Sequence, residues 1–245
     1  ISDMGDNELP EIDGGARKDR LTDRLQSARE RVRLLEMELE EHTSRFFRVC
    51  IFGSARIKPE DKIYQLTEKI AYDMGTIGID VLTGGGPGLM EAGNKGALKG
   101  KADSGSKSRS YGLSIELNAF ESANDHLDVK HHHRRFSSRL DDFMRLSNAV
   151  IVMPGGIGTV LELFFSWQLL QVSHITSRPI ILVGKDFWQG LIDWVRDVQV
   201  VGRLVSASDL HWIHIVDTPE EVMEIILNDY RVFLSKKSAE VEGTE

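Results

Sequence analysis

Length, composition and charge exclude several classes of protein. The 245 residues, 41% of them hydrophobic and 28% charged, are typical of a globular protein with one sizeable core. A net charge of −8 disfavours nucleic acid as a partner, because no excess of Lys and Arg is present to displace counterions. No uninterrupted apolar stretch approaches the length that spans a membrane, so no membrane partner is expected.

The N-terminal region is expected to lie outside the main domain. Residues 1–16 are rich in Gly, Asp and Glu and predict a disordered leader. Residues 17–45 predict a charged helical extension with a narrow apolar stripe that includes Leu21, Leu25 and Val32. Such a helix packs either on the domain surface or against a second subunit, and the sequence leaves both alternatives open.

Apolar strand-like runs alternate with helical patterns in the rest of the chain. The predicted strands cover residues 46–52, 79–83, 111–117, 149–153, 179–183 and 212–216. The predicted helices cover residues 59–75, 136–146, 160–172, 188–198 and 219–235, and one more runs from the glycine turn at 84–88 to about residue 98. This alternation predicts an α/β fold, a Rossmann-like doubly wound parallel sheet, in a single domain over residues 46–235 with a polar tail at 236–245.

Two polar segments interrupt this alternation. Residues 99–110 are rich in Gly, Ser and Lys and predict a mobile loop. Residues 118–135 predict no element, and within them His131, His132 and His133 precede two arginines. No Asp, Glu or Cys follows at a metal-ligand spacing, which disfavours a metal site. These histidines instead predict a solvated, partly cationic loop that lies over the active site.

The single cysteine, Cys50, lies in the first predicted strand. It cannot form an intrachain disulfide, which is typical of proteins in a reducing cytoplasm. We therefore predict a cytoplasmic location and a small, buried, unreactive thiol.

The strand predicted at residues 149–153 ends at a glycine-rich turn. The turn contains Gly155, Gly156 and Gly158. Thr159 is predicted to open the next helix, with Glu162 in its first turn. A strand, a glycine turn and a helix N-terminus form an anion site, because free backbone N–H groups and the helix dipole favour negative charge. A carboxylate would repel a phosphate, so Glu162 is expected to face the sugar or base of the ligand.

Two further strands end in turns of small residues, Gly53-Ser54 and residues 84–88. Ligands of open α/β sheets lie beyond the carboxyl ends of the strands, so three such turns predict a nucleotide or sugar phosphate across the sheet. The glycine spacing is not that of a dinucleotide-binding motif, and no Gly-Lys-Ser/Thr follows, which disfavours a Walker-type NTPase.

At this point the motifs identify a family. Residues 154–162, Pro-Gly-Gly-Ile-Gly-Thr-Val-Leu-Glu, resemble the Pro-Gly-Gly-x-Gly-Thr-x-x-Glu signature of the LOG family. Residues 84–92 resemble the upstream glycine loop of the same family, and the resemblance runs from about residue 47 to 216. Members are cytokinin riboside 5'-monophosphate phosphoribohydrolases, or nucleotide 5'-monophosphate nucleosidases in bacteria. Many carry the older label "possible lysine decarboxylase".

The resemblance implies roles for particular residues. It pairs Glu162 with Arg139, an arginine that precedes the signature proline by fifteen residues. Such a carboxylate can stabilise an oxocarbenium-like transition state and hold or deprotonate the attacking water, while Arg139 orients the nucleotide. The expected nucleotide-binding residues are Gly155, Gly156, Gly158, Thr159, Ser54, Gly85, Gly86 and Met153. Two departures from the family pattern are Leu140, where a lysine is usual, and the lack of a second glutamate in Leu163-Phe-Phe-Ser-Trp.

The resemblance implies an N-glycosidase that splits AMP or an N6-modified AMP into free base and ribose 5-phosphate. It also implies a homodimer, with a higher oligomer as a further option. The alternative is a carrier of the same fold that binds a nucleotide or the molybdenum cofactor without turning it over. A pyridoxal phosphate decarboxylase would need a Schiff-base lysine, and Lys95, Lys99 and Lys185 lie in no cofactor motif, so no cofactor is expected.

Overall fold

The structure is a computed structural model that describes residues 19–28, 30–32, 35, 46–115 and 123–242. The chain divides into two units, Ile1–Ser44 and Arg45–Glu245. In the first unit the described residues are helical, and the predicted leader lies outside the described residues. No helix in the described part of the chain combines the length and apolar character that a membrane crossing requires.

A parallel sheet of seven strands forms the centre of the second unit, in the order β4-β3-β2-β1-β5-β6-β7. The strands are β1 (Arg48–Phe52), β2 (Asp80–Thr83), β3 (Ser110–Ile115), β4 (Val129–His133), β5 (Ala149–Val152), β6 (Ile180–Val183) and β7 (Ile213–Val216). The two central strands, β1 and β5, are buried at every residue, which is why both are apolar apart from Arg48, whose Nε lies 3.3 Å from Asp80 Oδ2. The predicted doubly wound parallel sheet is thereby confirmed.

Helices cover both faces of the sheet. They are α1 (Lys62–Thr76), α2 (Leu89–Ser104), α3 (Phe136–Leu146), α4 (Ile157–Gln171), α5 (Lys185–Trp194) and α6 (Pro219–Glu242). Side chains of α1, α2 and α6 form one hydrophobic cluster with the sheet, and side chains of α3, α4 and α5 form a second. Cys50 is fully buried in the second cluster, as predicted.

Two helices are longer than the sequence predicts. Helix α2 runs to Ser104, through the first half of the segment at 99–110 that was expected to be a loop. It ends where Gly105 adopts a left-handed conformation, φ 70°, and donates its N–H to Lys101 O at 2.9 Å. Helix α6 continues to Glu242, past its predicted end at residue 235.

The histidine run corrects another expectation, because His131, His132 and His133 lie on strand β4 rather than in a loop. Among the described strands this one pairs with β3 alone, and Leu113 of β3 lies opposite His131. An edge strand with one exposed side tolerates polar residues on both faces, so it lacks the apolar alternation that predicts strands. The last two residues of the strand predicted at 111–117 lie outside the described residues.

Helices α1 and α2 approach each other closely through glycines. A Cβ atom at Gly96 would lie 2.1 Å from Glu68 O, and one at Gly100 would lie 2.2 Å from Tyr72 O. Both neighbours are backbone atoms of α1, so they cannot move aside without shifting the helix. The close approach therefore depends on the absence of side chains at these positions.

Gly96→Ala is expected to lower the free energy of unfolding by about 1–3 kcal/mol, because the added methyl group forces α1 and α2 apart. Gly190→Ala in α5 is the matched control, since no atom lies within 4 Å of the added Cβ. The control should raise the free energy of unfolding by about 0.5–1 kcal/mol through helix propensity. Urea unfolding of the two variants tests this, and equal stability of both would contradict the described helix contact.

Candidate functional site

Three strand ends meet at Ser54, which follows β1. The Ser54 N–H donates to Pro154 O at 3.2 Å, and Ser54 O accepts the N–H of Leu89 at 3.0 Å. Gly88, which precedes Leu89, has φ +69°, and a Cβ atom there would lie 2.5 Å from Ser54 O. The backbones of the three predicted turns are therefore joined at the carboxyl edge of the sheet. Strands β2 to β4 extend the sheet on one side of β1, and β5 to β7 extend it on the other, so the strand order reverses between β1 and β5. Open α/β sheets bind ligands at this position.

A cleft of about 520 Å³ opens at this edge. Its lining residues are Gly53, Ser54, Ala55, Arg56, Met90, Phe136, Arg139, Gly156, Ile157, Gly158, Thr159 and Glu162. The structure thus brings together six residues that the sequence predicted for the site, including the two expected to be catalytic. The volume lies within the range typical of small-molecule sites.

The N-terminus of α4 forms one wall of the cleft. Helix α4 begins at Ile157, which corrects the expected start at Thr159 and places Glu162 in the second turn rather than the first. The glycine at position 158 is helical despite its low helix propensity, which is why the sequence pattern missed the true start. The first intrahelical bond runs from Val160 N to Gly156 O at 3.0 Å. The earlier N–H groups of this turn have no acceptor within the helix and suit an anion.

Arg139 is held by β3 and by its own helix. Its Nε donates to Leu113 O at 2.7 Å, and the guanidinium carbon lies 5.3 Å from the centre of the Phe143 ring. A Cβ atom at Gly84 would lie 2.2 Å from Arg139 Nη2, so the guanidinium occupies space that only a glycine leaves open. These contacts fix the plane of the guanidinium at the edge of the cleft.

Glu162 lies on α4, half-buried, and lines the same cleft as Arg139. The charges of Glu162 and Arg139 both shift the pKa of Cys50, a buried residue of β1. Burial raises the pKa of the Cys50 thiol well above its usual value, the Glu162 carboxylate raises it further, and Arg139 and Arg178 lower it. The cleft therefore contains opposite charges over an apolar sheet.

Four of the predicted binding residues do not line the cleft. Met153 is fully buried and extends β5 through a bond from its N–H to Phe52 O at 2.8 Å. Gly155 is covered by Thr159, whose Oγ1 lies 2.2 Å from the position of an added Cβ. Gly85 and Gly86 are buried, and the carbonyl oxygens of both accept hydrogen bonds from Asn124.

A buried polar network holds the glycine loop after β2. The Asn124 N–H donates to Gly85 O at 2.8 Å, and its Nδ2 donates to Gly86 O at 2.9 Å and to Asn94 Oδ1 at 3.0 Å. Thr83 Oγ1 donates to the same Asn94 oxygen at 2.6 Å. These bonds satisfy the loop carbonyls inside the protein, so Gly85 and Gly86 support the site from behind without lining it.

The cleft contains residues that sequence reasoning missed. Arg56, Met90 and Ile157 line it although none was predicted as a site residue. Each lies in or next to one of the three predicted glycine turns, so position beside a turn could have indicated that these residues line the site. Phe136 lies one helical turn before Arg139 and is 51% exposed, an unusual exposure for a phenyl ring.

The histidines of β4 do not line the cleft. His132 Nδ1 lies 2.7 Å from Ser114 Oγ, and His133 Nε2 lies 3.5 Å from Asp142 Oδ2. The expected position of this segment over the site is therefore wrong. Within the described residues, no group of three His, Cys, Asp or Glu side chains is placed to hold a metal ion.

A family model described as "Possible lysine decarboxylase" matches residues 90–226, which is more than half of the chain. The chain belongs to this family, the LOG family. The match includes α3, α4 and the signature between them.

Curated relatives and solved structures resemble about three quarters of this chain. A "Pyrimidine/purine nucleotide 5'-monophosphate nucleosidase" of Escherichia coli K12 is 29% identical over 71% of this chain, which spans only 38% of the relative's length. A "Probable cytokinin riboside 5'-monophosphate phosphoribohydrolase LOGL6" of Oryza sativa subsp. japonica is 29% identical over 74% of this chain and 70% of its own. The molybdenum cofactor binding protein of Rippkaea orientalis shares the fold, with a TM-score of 0.55 and 20% identity over 75% of this chain and 96% of its own.

Gly84→Ala is expected to displace the Arg139 guanidinium without unfolding the protein. The added methyl group would overlap Nη2, which is the end of a flexible side chain, so the side chain moves and the Nε bond to Leu113 is lost. The free energy of unfolding should fall by about 1 kcal/mol, the usual contribution of one hydrogen bond.

A crystal structure and urea unfolding of Gly84→Ala measure both effects. Gly158→Ala is the control, because no atom lies within 4 Å of its added Cβ, and it should leave Arg139 in place. An unmoved guanidinium in Gly84→Ala would contradict the described contact.

Proposed function

We propose that this protein hydrolyses the N-glycosidic bond of a nucleoside 5'-monophosphate, AMP or an N6-modified AMP, to free base and ribose 5-phosphate. One observation carries the proposal. The Glu162 carboxylate, the Arg139 guanidinium and the N-terminus of α4 line a single cleft of about 520 Å³. An anion site and a carboxylate in one cleft suit a ligand that is anionic at one end and reacts at the other.

The 5'-phosphate is proposed to bind at the first turn of α4. The N–H groups of Gly156, Ile157, Gly158 and Thr159 precede or begin the helix, and the dipole of α4 adds to their positive potential. Arg56, which is exposed, lines the same cleft and supplies a second cation for the outer phosphate oxygens. Glycines at 156 and 158 keep the backbone open, since no atom lies within 4 Å of either Cβ position.

Glu162 is proposed to act at the glycosidic bond. As that bond breaks, positive charge develops on the ribose ring, and a nearby carboxylate stabilises it. The same carboxylate can orient a water molecule and accept its proton as the water attacks C1'. Both roles need the ionised form of Glu162.

Arg139 is proposed to orient the nucleotide and to stabilise the departing base or the phosphate. The bond from Nε to Leu113 O fixes the guanidinium and uses one of its five donors. A fixed cation loses little orientational freedom when the substrate binds, which favours this role.

The names of the relatives support the same reaction class, since both are hydrolases of nucleoside or nucleotide 5'-monophosphates. Lysine decarboxylation is less well supported. The cations among the described lining residues are Arg56 and Arg139, and no lysine is among them. Lys95 lies on α2, where its Nζ pairs with Glu68 at 3.0 Å.

The second candidate function is a non-catalytic carrier of a nucleotide or of the molybdenum cofactor. It is favoured by the fold shared with the Rippkaea orientalis protein. A carrier has no need of a carboxylate opposite the phosphate site, whereas the hydrolase requires one. The pairing of Glu162 with Arg139 therefore favours the hydrolase.

We further infer a homodimer that forms through the outer face of α4, and a cytoplasmic location. On that face Leu161 is 50% and Val172 is 59% exposed, and Phe164 and Phe165 are half-buried. Large apolar side chains together on one helix face are typical of a subunit contact. The buried, unpaired Cys50 supports a reducing compartment.

Glu162→Gln is expected to lower kcat for AMP by about 10²–10⁴-fold, because the amide neither carries a negative charge nor accepts a proton. Chromatography of adenine and ribose 5-phosphate measures turnover. Glu91→Gln is the matched control, since it removes a carboxylate on α2 that does not line the cleft, and it should retain wild-type turnover.

Two outcomes would contradict the proposal in different ways. Wild-type turnover by Glu162→Gln would remove the proposed role of that residue. Tight AMP binding by the wild-type protein with no release of adenine would replace the hydrolase by the carrier.

A further inference from the structure

The apolar face of α3 continues past the edge of the hydrophobic core. The buried residues of that face are Leu140, Phe143, Met144 and Leu146. Phe136, the first residue of α3, lies four residues before Leu140 and seven before Phe143, so it extends the same face by one turn. It is 51% exposed, and it belongs to neither hydrophobic cluster that the described residues form with the sheet. The core therefore leaves this phenyl ring uncovered.

The uncovered ring lies in the cleft. Phe136 lines it together with Arg139, which follows three residues later on the same side of α3. The neighbouring residues Arg135, Ser137 and Ser138 are polar and exposed. Among the described residues that line the cleft, Phe136 is the only aromatic one. A phenyl ring among polar residues at a ligand cleft points to a ligand that has a flat, apolar part.

The proposed function indicates which part of the ligand this is. The phosphate is assigned to the first turn of α4, and Glu162 in the second turn is assigned to the ribose. The base is the remaining part of a nucleotide, and its faces need an apolar contact. The apolar side chains among the described lining residues are those of Ala55, Met90, Phe136 and Ile157.

Phe136 offers a base more than the other three side chains do. Met90 is only 9% exposed, and Ala55 presents a single methyl group. Ile157 is exposed, but it belongs to the first turn of α4, where the phosphate is proposed to bind. Of the four, Phe136 combines an accessible surface with a flat ring on a helix that does not take the phosphate.

We propose that Phe136 binds the base of the nucleoside 5'-monophosphate by stacking its ring on the face of the base. The inference rests on the proposed function for the presence of a nucleotide in the cleft, but it does not require that the nucleotide is hydrolysed. A stacked ring contacts the face of a base and makes no hydrogen bond to its edges. Because N6 lies at an edge of adenine, this contact accepts AMP and an N6-modified AMP alike.

A C-nucleoside analogue of AMP tests the contact separately from the reaction. In this analogue a carbon–carbon bond joins the purine to C1', so no N-glycosidic bond is present to be hydrolysed. Ribose 5-phosphate is the second ligand, because it has the sugar and the phosphate but no base. Isothermal titration calorimetry of the full chain and its variants measures the dissociation constant of each ligand.

Phe136→Ala is expected to raise the dissociation constant of the analogue by about 5- to 150-fold, the usual effect of losing one base–aromatic stack. The dissociation constant of ribose 5-phosphate should stay at the wild-type value. Phe136→Tyr keeps the ring and should bind the analogue as the wild-type protein does. Phe187→Ala is the matched control, since that ring is 50% exposed but does not line the cleft, and it should bind both ligands normally.

Two results would overturn the inference. Wild-type affinity of Phe136→Ala for the analogue would mean that the base does not contact the ring. An equal loss of affinity for the analogue and for ribose 5-phosphate would mean that the substitution disturbs the whole cleft. Urea unfolding of each variant establishes that folded proteins are compared.

The proposed function fails by a different measurement. If the wild-type protein binds the analogue through Phe136 but releases no adenine from AMP, the hydrolase proposal is wrong and the stacking contact stands. If it releases adenine while Phe136→Ala binds the analogue normally, the hydrolase proposal stands and the stacking contact is wrong.

Discussion

Two backbone hydrogen bonds at Ser54 hold together the three loops on which the site depends. One joins Ser54 to Pro154 at the start of the signature, and the other joins it to Leu89 at the start of α2. Because backbone atoms make both bonds, the geometry depends on chain conformation more than on the side chain of residue 54. The glycine at position 88 is needed for the same reason, since its φ of +69° allows the loop to approach Ser54 O closely.

The start of α4 explains how an anion site and a carboxylate share one cleft. The free N–H groups lie in the first turn, and Glu162 lies in the second turn, about 5 Å further along the helix axis. A phosphate at the first turn is therefore separated from the carboxylate, and the sugar of a nucleotide fits between them. Arg139 reaches the cleft from α3, on the side of β3, so the cation and the carboxylate approach the ligand from different elements.

The sequence predicted the elements whose residues are uniformly apolar or strongly patterned. The bounds of α3 are those expected, and the strand at β5 differs only at its last residue. It did not predict β4, because an edge strand needs no apolar alternation, or the true start of α4, because glycine at position 158 hides a helical turn. For the site, the motifs predict Glu162 and Arg139, and both line the cleft. Met153 and Gly85, which the motifs also predict as binding residues, do not line it, because distance along the chain does not reveal which side of a loop faces the cleft.

The most direct test of this account is a crystal structure of Glu162→Gln with bound AMP. The account predicts the 5'-phosphate within hydrogen-bond distance of the backbone N–H groups at residues 156–159, and the C1' atom of the ribose facing the side chain at position 162. A phosphate bound elsewhere, or a ribose turned away from position 162, would contradict the proposed arrangement of the site.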